Sequence, residues 1–216
     1  MVRNLKIFKG ICILDMGRVI TLPADIERFY SESNAKCALE EFKYLFYQSD
    51  ESNASYKGKM TDDEFFHFLR MESGSKMTPR QLQKLYYRCK GGIYKETIEL
   101  IKRLKSEGYE VDLLSNLRPI DYKWLSENMN LSLFDKMFLS YQIGMSKPDE
   151  KIFKHVIDSL GTTNTYFLDD SIKNIEAAQR LGIKGIQITG KEIPAIQITD
   201  NGISKILLPQ KNKNAK

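Results

Sequence analysis

The chain has 216 residues, of which 42% are hydrophobic, 11% aromatic and 28% charged. These proportions lie near globular averages and exclude collagen, mucin-like stalks and wholesale disorder, while the length suits one core domain with a substantial insertion. Lys and Arg total 33 against 28 Asp and Glu, a net charge of +5. Lys and Glu alternate as on solvated helix faces instead of forming a basic stripe interleaved with aromatics, so nucleic acid is set aside as a partner.

Near the N-terminus the longest apolar run is Ile11 to Leu14, too short for a signal-peptide core or a membrane span. The expectation is a cytoplasmic protein with no membrane partner. The run shows no alternation and stops at Asp15-Met16-Gly17, which is how a buried parallel strand reads. From Thr21 to about Gly92 the pattern turns wholly helical, carried by Ile26, Phe29 and Tyr30, by Leu39, Phe42 and Phe46, by Phe65, Phe68 and Leu69, and by Leu82, Leu85, Tyr86 and Cys89. This predicts an inserted helical domain over 21–92. Two of its helices open with capping boxes, Thr61-x-x-Glu64 and Thr78-Pro79-x-Gln81, and the polar stretch Ser49 to Lys59 is expected to be irregular.

Strand and helix then alternate. A helix over 96–106 leads to a strand at Val111 to Leu114 that ends in Ser115-Asn116. A helix over 149–160 leads to Tyr166-Phe167-Leu168, which ends in Asp169-Asp170. A helix over 171–181 leads to Ile186 to Ile188, ending in Thr189-Gly190. Gly108, Gly161 and Gly182 stand just past the helices, where a left-handed residue closes the last turn. Repeated β-α units predict a Rossmann-like, doubly wound, mainly parallel α/β sheet built from 1–20 and 93–208, with a disordered tail at 209–216. Cys12, Cys37 and Cys89 lack any Cys-x-x-Cys spacing and read as reduced cysteines, and His67 and His155 lack metal-ligand spacing. Gly185 to Glu192 approximates a phosphate-binding loop, but Glu192 stands where the metal-binding Ser or Thr belongs.

Chemistry in an open parallel sheet gathers outside the carboxyl ends of the strands, so Asp15, Ser115, Asn116, Asp169 and Asp170 are expected to converge. Three carboxylates meeting at one place repel unless a cation sits among them, and all-oxygen ligation suits Mg²⁺ over zinc. Taken singly, each segment has an ordinary explanation: Asp15-Met16-Gly17 as a turn, Ser115-Asn116 or Asp170-Ser171 as a helix cap, Lys147 as a solvated loop residue. Their order, each at a strand end, is what coincidence does not supply.

Four segments together resemble the motifs of the haloacid dehalogenase-like (HAD) hydrolases: Leu14-Asp15-Met16-Gly17-Arg18-Val19, Leu113-Leu114-Ser115-Asn116, Gly144-Met145-Ser146-Lys147-Pro148-Asp149, and Tyr166-Phe167-Leu168-Asp169-Asp170. The insertion after the first resembles the helical cap of that family. The pattern is similar to a bacterial sugar-phosphate phosphatase group that includes alpha-D-glucose-1-phosphate phosphatase, and to the phosphatase domain of soluble epoxide hydrolase. The resemblance implies a Mg²⁺-dependent phosphatase of small phosphorylated metabolites, a sugar phosphate being one candidate, that works through an aspartyl-phosphate. Asp15 is implied as nucleophile, Lys147 as the catalytic cation, and Ser115, Asn116 and Lys147 as phosphate ligands. Asp15, the Gly17 carbonyl and Asp170 are implied as metal ligands, with Asp169 assisting through water or by holding Lys147.

The chain departs from the family pattern at Gly17, where most phosphatases of the family carry a second Asp that protonates the leaving oxygen and later activates water. Loss of such a group typically costs on the order of 10²- to 10⁴-fold in rate. Two alternatives follow: a noncatalytic phosphate- and Mg²⁺-binding regulatory protein, or a 2-haloacid dehalogenase, a branch that needs no metal. Arg18 and His67 are candidate substitutes for the missing acid/base. Lys57 and Lys59 could reach anionic substrate groups, but a solvated basic loop is the favoured reading of them.

Overall fold

The computed structural model describes residues 8–206. Five parallel strands form the central sheet: β1 (Gly10–Leu14), β2 (Tyr109–Ser115), β3 (Met137–Leu139), β4 (Thr165–Asp169) and β5 (Lys184–Gln187), in the order β3-β2-β1-β4-β5. All five residues of β1 are buried, as expected of the central strand of a sheet covered on both faces. Its residues pair with Tyr109 to Leu113 of β2 on one side and with Thr165 to Leu168 of β4 on the other. The chain winds from β1 out to β3 and then returns to the far side of β1. The reversal opens a crevice at the carboxyl ends of β1, β2 and β4.

Side-chain alternation along β1 feeds two cores. Cys12 and Leu14 point to a core shared with α6 (Lys95–Ser106) and α7 (Pro119–Asn128), through Leu100, Ile101, Leu104, Trp124 and Leu125. Ile11 and Ile13 point to the other face, where Ile152, Phe153 and Val156 of α9 (Glu150–Leu160) and Ile175, Ala177 and Ala178 of α10 (Ile172–Gln179) pack. A short helix, α8 (Ser140–Ile143), follows β3, and an antiparallel hairpin of β6 (Ile196–Thr199) and β7 (Gly202–Lys205) adds Ile196 and Ile203 to the first core.

Five helices separate β1 from α6: α1 (Ile26–Glu32), α2 (Leu39–Tyr47), α3 (Asp50–Tyr56), α4 (Asp62–Ser73) and α5 (Pro79–Arg88). They enclose a third core, rich in aromatic rings, in which Phe29 meets Phe42 at 5.3 Å and Phe46 at 5.5 Å, both edge-on, the arrangement the ring quadrupoles favour. Both expected capping boxes form, at Thr61 with Glu64 and at Thr78 with Gln81.

The expected irregular stretch at 49–59 is instead mostly helix, α3. Ser49 caps it by accepting the Ser52 amide, and Ser52 and Ser55 are buried, their hydroxyls donating to the carbonyls of Phe46 and Ser52. A serine-rich segment reads as loop in sequence because its hydroxyls compete for backbone groups; here they are consumed inside the fold. On α4 the buried face is Phe65, Phe66 and Leu69, with Phe68 only half-buried, and β5 begins two residues upstream of its expected start at Ile186. The expected disordered tail at 209–216 lies outside the described residues. Among those described, no helix is long and apolar enough to cross a membrane.

Candidate active site

Asp15 follows the last residue of β1 and is pinned there by its amide, which donates to the Leu168 carbonyl at 2.9 Å. Ser115 ends β2 and Asp169 ends β4, so the parallel register sets the three side by side. Lys147 arrives on the loop between α8 and α9. Its Nζ donates to Asp15 Oδ1 at 2.7 Å, to Asp169 Oδ2 at 2.6 Å and to the Leu114 carbonyl at 2.9 Å, which employs all three ammonium protons. The Ser115 hydroxyl donates to the same Asp15 Oδ1 at 2.8 Å. Asp15 Oδ2 lies on the Gly17 side, 3.6 Å from where a Cβ at position 17 would stand.

The supporting contacts explain how a buried lysine holds its position. Asn116 clamps the Lys147 backbone from both sides: its Nδ2 donates to the Lys147 carbonyl at 2.8 Å and its Oδ1 accepts the Lys147 amide at 2.9 Å. Asp169 is fully buried. It accepts the Ser171 amide at 2.8 Å and the Asn174 amide side chain at 3.0 Å on each oxygen, so it is anchored as well as paired with Lys147. Asp170 is half-buried and faces Arg18, with Nε 3.8 Å from its Oδ2.

Burial pushes the Asp15 carboxyl above the ordinary carboxylate range, Lys147 pulls it back and Asp169 pushes it further up. Burial also works against the Lys147 ammonium, but Asp15 and Asp169 outweigh it and hold the lysine protonated above its usual range. Asp170 is raised, chiefly by burial and then by Asp169. Carboxyls raised by burial and mutual repulsion are what a cation would relieve. Asp15, Asp169 and Asp170 each offer an oxygen within 4.8 Å of the others, and this all-oxygen set fits a hard divalent ion.

The structure therefore brings Asp15, Gly17, Ser115, Asn116 and Lys147 onto one crevice of about 700 Å³, with Asp169 bonded to Lys147 behind it and Asp170 facing Arg18. Arg18 joins them at the rim. His67 is exposed on α4 and borders a separate depression with Glu64 and Thr78, so it is no substitute acid/base. Lys57 and Lys59 are not among the residues bordering the crevice.

Sequence reasoning missed Asn174, which sits five positions after Asp169 on the first turn of α10, and it missed the ties between the inserted helices and the sheet. Arg118 is fully buried at the start of α7. Its guanidinium donates to the Phe46 carbonyl at 2.7 Å, to the Ser52 and Ser55 hydroxyls at 2.8 and 2.7 Å and to the Tyr56 hydroxyl at 3.1 Å, and it stacks against Tyr56 and Phe65. One turn on, Asp121 Oδ1 accepts the Tyr86 hydroxyl and Lys90 Nζ, both at 2.7 Å. Burial opposes the ionised Asp121, yet Lys90 and Arg118 outweigh it and hold the carboxyl below its usual range.

This topology with this strand-end constellation is that of the haloacid dehalogenase-like hydrolases. The family pattern matches residues 25–188, and the chain belongs to that family. It is 28% identical over 200 residues to the D-ribitol-5-phosphate phosphatase of Bacteroides thetaiotaomicron, covering 87% of this chain and 92% of that protein. It is 29% identical over 138 residues to a sesquiterpene phosphatase of Aspergillus oryzae, covering 62% of this chain and 69% of that one. A HAD-family enzyme of B. thetaiotaomicron crystallised with magnesium and inorganic phosphate superposes with a TM-score of 0.72 at 28% identity, covering 86% of this chain and 96% of that one.

Proposed function

We propose that the chain is a Mg²⁺-dependent phosphomonoesterase acting on a small phosphorylated metabolite, with the helices over 21–92 serving as the cap that selects it. The observation that carries this reading is Asp15 at the end of the central strand, bonded through one carboxylate oxygen to Lys147 and Ser115. That leaves Oδ2 on the crevice side to act as nucleophile. Asp15, the Gly17 carbonyl and Asp170 would hold the metal, whose positive charge, when bound, favours ionised Asp15 and screens the incoming phosphate.

In the first step Asp15 Oδ2 attacks phosphorus, the phosphorus–ester oxygen bond breaks, and the departing alkoxide takes a proton from solvent because Gly17 offers none. Lys147 Nζ and the Ser115 hydroxyl face the charge spreading over the phosphoryl oxygens, and the Asn116 clamp holds Lys147 in register. In the second step water attacks the aspartyl-phosphate, its proton passes to solvent, phosphate leaves, and the Asp15 carboxylate returns.

The two named relatives are a ribitol-phosphate and a sesquiterpene phosphatase, which supports phosphate-ester chemistry and leaves the alcohol to be decided by the crevice. The test is a panel of phosphomonoesters assayed with and without Mg²⁺, beside Asp15→Asn. Turnover should require both the metal and Asp15. Equal activity in wild type and variant would remove the mechanism, and phosphate binding without any turnover would favour the regulatory-protein alternative raised by Gly17.

A further inference from the structure

Beyond the catalytic residues, the crevice is walled by α1, α2, α3 and α5 and by the segment before α1. Seven large hydrophobic side chains among the described residues are substantially exposed, and three of them, Leu22, Tyr44 and Tyr47, border this crevice. Single exposed apolar residues are ordinary, but their concentration around the mouth of one concave site marks a surface awaiting apolar contact. Tyr56 and Tyr86 line the crevice deeper in. Tyrosine offers a flat apolar ring with little rotamer entropy to lose.

The charges on the same wall act in the opposite sense. Its two lysines are already engaged: Lys43 lies 2.9 Å from Glu40 and 3.9 Å from Glu27, and Lys90 lies 2.7 Å from Asp121. Glu27 and Glu40 are well exposed at the crevice edge. The remaining cation at the rim, Arg18, lies 3.8 Å from Asp170, so a second phosphate or a carboxylate on the substrate would meet Glu27 and Glu40 and find no cation without a carboxylate partner among the described wall residues, an arrangement that excludes by repulsion.

Resting on the phosphatase reading above, we propose that the ester cleaved here joins a single phosphate to an uncharged alcohol with a flat, apolar body, which lies against Tyr44, Tyr47 and Leu22. Hydroxyl-rich sugar phosphates and bisphosphates are the disfavoured classes. The crevice, about 700 Å³, is within the range that encloses a ligand far larger than phosphate alone.

The test compares 2-(1-naphthyl)ethyl phosphate, glucose 6-phosphate and fructose 1,6-bisphosphate with Mg²⁺ present. The first two are primary alkyl esters, which keeps leaving-group basicity comparable. The naphthyl ester should show kcat/KM at least about ten-fold above glucose 6-phosphate, mostly through KM, and the bisphosphate should be the poorest. Independently of turnover, 3-(1-naphthyl)propylphosphonate should bind the wild-type protein about ten-fold more tightly than methylphosphonate. The double variant Tyr44→Ala/Tyr47→Ala should erase most of both ratios. Glucose 6-phosphate equal to or better than the naphthyl ester, or ratios unmoved by the double variant, would overturn this inference and leave the phosphatase reading standing. Failure of every ester to turn over with Mg²⁺ would remove the phosphatase reading and this inference together.

Discussion

Arg118 offers a sharp quantitative test of how the inserted helices are held. Its guanidinium is fully buried and donates to four acceptors spread over α2 and α3. Lysine at 118 keeps the buried charge but concentrates its donors on one atom, which cannot span acceptors arranged for a planar fork. Losing two charge-assisted bonds, at about 1.5–3 kcal/mol each, puts Arg118→Lys at about 3–6 kcal/mol of lost stability. Methionine removes the charge altogether while filling much of the stem volume. Three of the four acceptors left behind are not orphaned, because the Ser52 hydroxyl still donates to the Phe46 carbonyl at 2.8 Å and the Ser55 hydroxyl to the Ser52 carbonyl at 2.7 Å, and the fourth, the Tyr56 hydroxyl, belongs to a half-buried residue that borders the crevice. Arg118→Met should therefore cost only about 1–2 kcal/mol, since deleting a buried charge along with its desolvation is far cheaper than stranding it. At roughly 2–4 °C per kcal/mol for a chain of this size, the lysine variant should melt about 6–24 °C below wild type and the methionine variant about 2–8 °C below. Calorimetry at fixed pH and salt measures both. A lysine variant as stable as the methionine variant would refute the reasoning.

Gly17→Asp should raise kcat by about ten-fold or more if proton transfer to the leaving oxygen is limiting, because a Cβ there meets only Asp15 Oδ2 at 3.6 Å; an unchanged or slower variant would show that another group moves that proton. EDTA should abolish phosphatase activity and added Mg²⁺ restore it, whereas activity that persists in chelator would point to metal-free chemistry. Burial, helped by Glu110, lifts the Asp112 carboxyl from 3.8 to about 7 in the folded chain, so the stability tied to its proton is whole below about 3.8, is lost as pH rises from there through about 7, and changes little further above. Asp112→Asn should thus flatten the stability profile between about pH 4 and 7, with a gain on the order of 1–3 kcal/mol at pH 8 that shrinks at pH 5; denaturant titrations at both values that give the same difference would exclude Asp112 as the cause.

Four of the five sheet strands were legible because short, mainly apolar stretches stop at polar residues, and those stops set Asp15, Ser115 and Asp169 at the carboxyl edge; β3, only three residues long, was not read. Their convergence followed from topology alone. Helix α3 was illegible because three serines disguise a segment whose hydroxyls are satisfied internally. Helix α7 was missed because Asp121 and Ile120 are buried together on it, which blurs the apolar stripe that periodicity detects. Arg118 leaves no trace of its burial in the sequence, since its partners Phe46, Ser52 and Ser55 lie more than sixty positions away in the chain. Asn174 occupies an ordinary polar place on an amphipathic helix, and only the fold aims it at Asp169.

The stretch from Ser115 to Asp121 runs without interruption from the Asp15 contact, through the Asn116 clamp on Lys147, to the two anchors of the inserted helices. The roof is consequently not a freely exchangeable module. A chimera that transplants another relative's residues 21–92 onto this sheet would leave Arg118 and Asp121 as buried ions facing strangers, so portable specificity in this scaffold demands that the turn beneath travel with the helices it holds.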